Sequence, residues 1–199
     1  VEFIPVTHSV PHAHAIAVQA PFHNNILESV RTGFSSVQHI YQIFAGSLRI
    51  YELMQEQFEM NGAAFTVTSG ISWGGITSLL YEAFFQRARA TAPMFASPNL
   101  AQVMIDGAQL AGRPLPVSRE VLDAYFDFTP VYSHSDIDRI FPVLGEDDLF
   151  FRFDQHAVIY SPETLYTVKG AHVGAAYYLR QQLRSHLLDI LNWAAKHPR

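Results

Sequence analysis

Residues 70–75, with the sequence Gly-Ile-Ser-Trp-Gly-Gly, constrain the fold more than any other part of the chain. The apolar and β-branched residues 63–69 before this segment predict a strand, and the apolar periodicity of residues 76–90 after it predicts a helix. A G-x-S-x-G pattern between a strand and a helix is typical of a sharp turn that exposes its serine. We therefore expect Ser72 to lie at the tip of such a turn.

Two glycines flank the serine, and we interpret both as steric requirements of the turn. A side chain at Gly70 or Gly74 would clash where the strand meets the helix, and glycine removes that side chain. The other interpretation of the segment is an ordinary glycine-rich connection between a strand and a helix.

Further along the chain, two predicted strands end in polar residues that complement a serine. Residues 140–144 predict a short buried strand followed by an acidic turn that includes Asp148, and residues 164–168 predict another strand followed by His172. Each candidate thus comes just after the carboxyl end of a strand, where open α/β sheets build their active sites. The chain order of serine, acid and histidine, starting from Ser72, matches one of the three serine-triad lineages.

These residue types support nucleophilic chemistry. A serine hydroxyl is a weak nucleophile until a base removes its proton, and His172 suits that task because an unperturbed imidazole has a pKa of about 6.5. A buried carboxylate would orient the imidazole. Asp148 is the expected acid and Asp147 is the alternative acid. The other interpretation of both is a solvated turn or a helix N-cap, and that of His172 is a structural histidine.

Several of these segments together resemble motifs of the α/β-hydrolase superfamily. They are residues 70–75, the Gly-x-x-Asp turn of residues 145–148, and residues 170–174. Residues 21–25 and the helix that follows resemble an uncharacterised subgroup of α/β-hydrolase-domain proteins. The resemblance spans roughly residues 15–195, and its motifs are specific for the superfamily but weak for a substrate.

The resemblance implies a serine hydrolase with Ser72 as the nucleophile, Asp148 as the orienting acid and His172 as the general base. Such an enzyme would cleave a carboxylic ester or thioester of a small molecule through an acyl-enzyme. The backbone N–H of Trp73 would be one of two oxyanion donors. The second donor usually lies in a loop with a His-Gly dipeptide, which this chain lacks. The alternative is a catalytically silent α/β-hydrolase-fold protein that serves binding or assembly.

Composition is consistent with one enzyme domain that spans residues 1–199. Hydrophobic residues make up 49% of the chain, which is enough for a substantial core. A net charge of −5 with only 13 Lys and Arg argues against nucleic acid as a partner. No apolar run is long enough to cross a bilayer and no signal-peptide pattern is visible, so a cytoplasmic location is expected.

The rest of the chain predicts alternating strands and helices, and hence an α/β fold with a mostly parallel sheet covered by helices on both faces. The region of residues 99–135, interrupted by prolines, is the natural place for a small cap. The remaining predicted elements are strands at 15–20 and 91–95 and helices at 35–60, 153–160 and 174–195.

Only one strand is predicted before the serine turn, so the fold is expected to be shortened at its N-terminus. An open sheet edge with exposed apolar surface favours association. We therefore expect either a homo-oligomer or a longer parent protein with further strands.

Metal and cofactor sites are not expected. The sequence has no glycine-rich dinucleotide or phosphate loop. Four histidines near the start of the chain could in principle bind zinc. Because no cysteine or acidic residue lies beside them, we interpret them as loop residues; they are His8, His12, His14 and His23.

Overall fold

The centre of the molecule is a four-stranded parallel sheet. The structure is a computed structural model that describes residues 13–21 and 35–198. In these residues the strand order is β1-β2-β3-β4, and each neighbouring pair is parallel. The strands are β1 (Val67–Ile71), β2 (Ala90–Met94), β3 (Val143–Gly145) and β4 (Tyr166–Val168). The predicted parallel α/β sheet is therefore confirmed.

Helices cover both faces of this sheet. They are α1 (Val37–Met60), α2 (Trp73–Phe85), α3 (Leu100–Leu110), α4 (Arg119–Phe126), α5 (Thr129–Tyr132), α6 (Phe153–His156), α7 (His172–Tyr178) and α8 (Arg180–Lys196). Val143 packs with Leu183 of α8, whereas its neighbour Leu144 belongs to the core that contains Ile76 of α2. Because successive side chains of a strand point to opposite faces, these two clusters lie on opposite sides of the sheet.

The long helix α1 follows its sequence pattern closely. The Ser36 side chain accepts a hydrogen bond of 3.1 Å from the backbone N–H of His39 and caps the helix. The chain leaves the helix at Asn61 and Gly62, where Gly62 has a φ of +79° that favours glycine. Ile40, Phe44 and other apolar residues on one side of the helix are buried against the core.

The elements around the serine turn begin and end at other residues than predicted. Strand β1 continues to Ile71, and the following Ser72 N–H still donates to the carbonyl of Met94 in β2. The helix then begins at once at Trp73 and ends at Phe85. The turn therefore consists of little more than one residue, which makes it tighter than the sequence suggested.

The prediction of a strand at residues 15–20 is wrong. These residues have no regular secondary structure, and the Ile16 side chain is half exposed. An apolar run forms a strand only where a neighbouring strand and a core surface receive it. Residues 1–12 and 22–34, which include most of the segment of residues 21–25, lie outside the described residues.

The second half of the chain keeps the predicted order with shorter elements. Strand β3 begins only at Val143, because the preceding Pro142 has no N–H to donate to a ladder. The predicted cap region contains α3, α4 and α5. The predicted last helix is divided at Leu179 into α7 and α8. Across residues 13–21 and 35–198, no helix is both long and apolar enough to cross a membrane.

Candidate active site

Ser72 lies in a strained turn between β1 and α2. Its backbone has φ 55° and ψ −117°, a combination that residues other than glycine rarely adopt. Such a conformation costs about 1–3 kcal/mol and persists only where the surroundings hold it. Two hydrogen bonds do so here, from Ser72 N–H to the Met94 carbonyl at 2.8 Å and from Ile76 N–H to the Ser72 carbonyl at 3.0 Å. A strained serine between a strand and a helix is the backbone arrangement expected of a G-x-S-x-G turn.

Two glycines make this turn sterically feasible, and only Gly70 belongs to the predicted pair. A Cβ at Gly70 would lie 2.3 Å from the carbonyl carbon of Gly74, and a Cβ at Gly75 would lie 2.4 Å from the Cβ of Ala96. A Cβ at Gly74, by contrast, would have no atom within 4 Å. The steric role predicted for Gly74 is therefore wrong, and Gly75 has that role because α2 packs closely on the segment after β2.

Asp148 and His172 form a buried pair at the same edge of the sheet. The Nδ1 of His172 lies 2.8 Å from Oδ2 of Asp148. A carboxylate only accepts hydrogen bonds, so Nδ1 of His172 is the donor in this contact. The Asp148 side chain is fully buried, and the His172 ring is 13% exposed.

The other carboxylate oxygen fixes the acid in place. Oδ1 of Asp148 accepts hydrogen bonds of 2.9 Å from the Phe150 N–H and 3.1 Å from the Phe151 N–H. Asp147, the alternative acid, is exposed. The geometry thus favours Asp148 as the partner of His172.

Three phenylalanines surround the His172 ring. Phe151 stacks on it with a centroid distance of 5.3 Å and an interplanar angle of 21°, and Phe150 lies at 5.5 Å. Phe95 approaches the ring edge-on, with a centroid distance of 6.2 Å. Phe95 directly follows β2 and has a φ of 47°, which is another strained backbone at the site. No pattern in the sequence distinguishes Phe95 from a core residue, and its role at this site was not predicted.

A close backbone approach brings the acid turn and the histidine segment together. A Cβ at Gly145, the last residue of β3, would lie 2.4 Å from the carbonyl oxygen of Gly170. Only glycine allows this contact without movement of the backbone. His172 itself is the first residue of α7, whereas the sequence predicted that it lies on the loop before a helix that begins at residue 174. That prediction is wrong, because the helix begins two residues earlier.

Trp73 is the first residue of α2, where backbone N–H groups point out of the helix N-terminus. Its indole ring stacks on Phe44 of α1 at 4.1 Å and 6°. Phe128 of the cap region contacts Phe44 edge-on at 5.7 Å. The Tyr41 hydroxyl of α1 donates to the Tyr125 carbonyl of α4 at 2.6 Å. The cap region and α1 therefore meet beside the serine turn.

No group of three or more potential metal ligands occurs in the parts of the chain that the structure describes. Of the four histidines near the start, His14 is described and exposed. His8, His12 and His23 lie outside the described residues, so the expectation for that cluster stays a prediction.

Comparison with known proteins gives structural likeness only. No known family model matches the chain, and no curated protein matches it either. An esterase from Pyrococcus furiosus is similar in structure, with a TM-score of 0.56 and 12% identity over 73% of this chain and 61% of that chain. The same esterase in another crystal form gives a TM-score of 0.52 and 11% identity over 79% of this chain and 62% of that one.

A second similar structure is a Glycosylation Associate Protein (Gap123) complex from Streptococcus agalactiae. Its TM-score is 0.53 and its identity 15%, over 72% of this chain and 32% of that chain. The chain thus spans about three fifths of the esterase and about one third of the protein from the complex. With the parallel sheet and the Ser72 turn, these likenesses show that the chain has the α/β-hydrolase fold.

Proposed function

We propose that the chain is a serine hydrolase that cleaves a carboxylic ester or thioester of a small molecule. The supporting observation is the buried Asp148–His172 pair at the edge where Ser72 sits in a strained turn. Ser72, Asp148 and His172 follow β1, β3 and β4, and the carboxyl ends of parallel strands meet at one edge of a sheet. The name of the Pyrococcus furiosus esterase also supports ester hydrolysis.

The reaction would proceed in two stages, acylation of Ser72 and hydrolysis of the acyl-enzyme. Nε2 of His172 takes the proton from the Ser72 hydroxyl while Oγ attacks the carbonyl carbon, and the carbonyl oxygen becomes an oxyanion. The Trp73 N–H donates to that oxyanion. The intermediate then collapses to an acyl-enzyme, and the alcohol or thiol leaves with the proton from His172.

Hydrolysis of the acyl-enzyme repeats these steps with water. His172 takes a proton from the water molecule, the hydroxide attacks the acyl carbon, and the proton returns to Ser72 as the acid leaves. Asp148 stays ionised throughout and stabilises the imidazolium through the bond from Nδ1. Its two backbone hydrogen bonds, from the N–H groups of Phe150 and Phe151, hold that carboxylate in place.

Covalent labelling with a fluorophosphonate probe tests this proposal, because the probe reacts preferentially with an activated serine. We expect Ser72 to be the labelled residue and the variant Ser72→Ala to stay unlabelled. Ser69, whose hydroxyl donates to the Ala92 carbonyl within the sheet, is the matched control: Ser69→Ala should still label. Absence of labelling in the folded parent protein would contradict the proposal and favour a binding or assembly role.

The finer expectations on partners and location stay predictions. They are a small-molecule ester substrate, no nucleic acid, either a homo-oligomer or a longer parent protein, and a cytoplasmic location. Strand β1 has one neighbouring strand within the described residues. Its other side is therefore a lateral edge of the sheet, which is consistent with association there.

A further inference from the structure

The imidazole of His156 is an unusual group in the core. Its exposed fraction is 0%. Neither Nδ1 nor Nε2 has a hydrogen-bond partner within residues 13–21 and 35–198. Most buried polar side chains are hydrogen-bonded, because an unsatisfied donor or acceptor costs about 1–3 kcal/mol. Packing alone therefore does not explain a histidine at this position.

Another buried polar group of the molecule shows the usual arrangement. The Tyr81 hydroxyl donates to Oε2 of the buried Glu52 at 2.9 Å. Arg87 pairs with both Glu52 and Glu59. This cluster lies between α1 and α2, away from the candidate site, and its carboxylate is satisfied. Oγ of Ser47 and Oδ2 of Asp106 are also buried without a partner in the described residues, so what distinguishes His156 is its complete burial and its contact with Phe151.

His156 lies directly behind the aromatic contact of the candidate site. Its ring is 5.6 Å from the ring of Phe151, with an interplanar angle of 54°. Phe151 in turn stacks on His172, and its backbone N–H donates to Asp148. Phe151 therefore contacts both members of the acid–base pair, and His156 supports it from the interior.

We propose that His156 is a positioning residue for His172. Its uncharged imidazole supports Phe151, and Phe151 holds the ring of His172 and the carboxylate of Asp148 in register. This inference rests on the proposed function, because it treats His172 as the base that acts on Ser72. His156 contacts no reacting atom and acts only through Phe151.

Several charged side chains lie near His156 and affect the pKa of its imidazole. Burial lowers the pKa of His156 to about 4; the nearby carboxylates of Asp106, Asp148 and Asp154 oppose that effect, and Arg152 adds to it. Asp106 of α3 has a buried Oδ2 with no partner in the described parts of the chain. A proton on His156 would thus place a charge between α3 and the acid turn, and we expect Phe151 to move with it.

The experiment compares three variants at a pH of about 7. His156→Ala removes the support, and His156→Phe keeps an aromatic ring that cannot take a proton. His186→Phe is the control: His186 stacks on Tyr166 at 4.7 Å, at the opposite end of β4, and burial lowers its pKa too. The readouts are kcat and KM for p-nitrophenyl acetate and the imidazole signals of His172 in NMR with isotope-labelled histidine.

We expect His156→Ala to lower kcat about 10- to 100-fold with little change in KM, since a small misplacement of a reacting group has that effect. The His172 signal should shift as the Phe151 ring leaves it. His156→Phe should restore kcat at least partly, and His186→Phe should leave both readouts unchanged. A folded His156→Ala protein with the parent kcat and the parent His172 signal would overturn the proposal.

Two further arms keep the outcome decisive. If His156→Ala does not fold, His156→Leu replaces it, since leucine fills the space without an aromatic ring; the same two readouts apply. If the parent protein neither labels nor hydrolyses esters, the proposed function fails on its own. The His172 signal then still tests the positioning role, because a ring that stays in register in His156→Ala or His156→Leu would refute it.

Discussion

The two halves of the candidate site are held by different means. The serine half depends on the backbone: a strained residue at Ser72, two backbone hydrogen bonds, and the absence of side chains at Gly70 and Gly75. The acid–base half depends on side chains that come from separate elements. His172 is oriented by Asp148 and enclosed by three phenylalanine rings.

This difference determines how each half responds to substitution. A backbone-determined turn tolerates loss of the serine hydroxyl but not an added Cβ at a contact point. A side-chain-determined pair tolerates changes on the exposed side of the acid turn but not the loss of one packed or hydrogen-bonded group. The substitutions below test the distinction, beginning with the one of largest expected effect.

Replacement of the nucleophile should separate chemistry from folding in the serine half. We expect Ser72→Ala to abolish probe labelling and to lower ester hydrolysis by about 10⁶-fold. The melting temperature should stay at the parent value, because the turn is held by backbone bonds that alanine keeps. Hydrolysis of p-nitrophenyl acetate at the parent rate would show that another residue is the nucleophile.

Replacement of the acid should affect the other half almost as strongly. Asp148→Asn should lower kcat by up to about 10⁴-fold, because an amide at this position favours the wrong tautomer of His172. Asp147→Asn is the matched control and should be mild, since Asp147 is exposed one residue away. Steady-state kinetics of both variants decide the assignment, and the reverse ranking would move the acid to Asp147.

The serine half was the more predictable one from the sequence. A G-x-S-x-G segment between a strand and a helix specifies the turn locally, and the fold class followed from alternating strands and helices. The chain order of Ser72, Asp148 and His172 also led to residues that the structure places at one edge. The local pattern assigned a steric role to Gly74 that belongs to Gly75. A Cβ at Gly75 would clash with Ala96, which lies beyond the next strand and therefore outside the local pattern.

The acid–base half was predictable only in part, for a physical reason. Its packing joins residues that are far apart in sequence: Phe95 follows β2, Phe151 follows the acid turn, and His172 begins α7. Periodicity marks such residues as apolar but does not show what they contact. The wrong strand at residues 15–20 has the same origin, since apolar alternation does not reveal whether a neighbouring strand exists.

Alanine substitutions of the three glycines would sharpen the account of the serine half. Gly70→Ala and Gly75→Ala should each cost about 1–3 kcal/mol or more in free energy of unfolding, because the new Cβ meets an atom at 2.3 or 2.4 Å. Gly74→Ala should be neutral or stabilising, since its Cβ has open space and alanine favours a helix. Urea denaturation measures all three, and equal losses would refute the distinction.

The free energy of unfolding of the protein should depend on pH through His156, which lies behind the acid–base half. In the unfolded chain its imidazole takes up a proton near pH 6.5, whereas in the folded protein its pKa is about 4. Between these values the unfolded state binds more protons, so the free energy of unfolding falls as the pH falls from about 6.5 to about 4. The loss is at most about 3 kcal/mol and is absent above pH 6.5.

The variant His156→Phe provides the reference for this pH dependence. Because phenylalanine binds no proton, the difference in free energy of unfolding between parent and variant should change across that interval and level off above it. Urea denaturation at a series of pH values gives both curves. Parallel curves for parent and variant would mean that His156 is protonated equally in the folded and unfolded states, and would refute the predicted pH dependence.

Removal of metal ions should have the smallest effect on either half. In the proposed reaction His172 supplies the base and backbone N–H groups hold the oxyanion, so neither the Ser72 turn nor the acid–base pair has a step that a cation must supply. Dialysis against EDTA should therefore leave the rate of p-nitrophenyl acetate hydrolysis and the melting temperature unchanged. A loss of activity that zinc restores would contradict this expectation. It would make the early histidines, His14 and its neighbours in sequence, a third component of the site that the comparison of two halves omits.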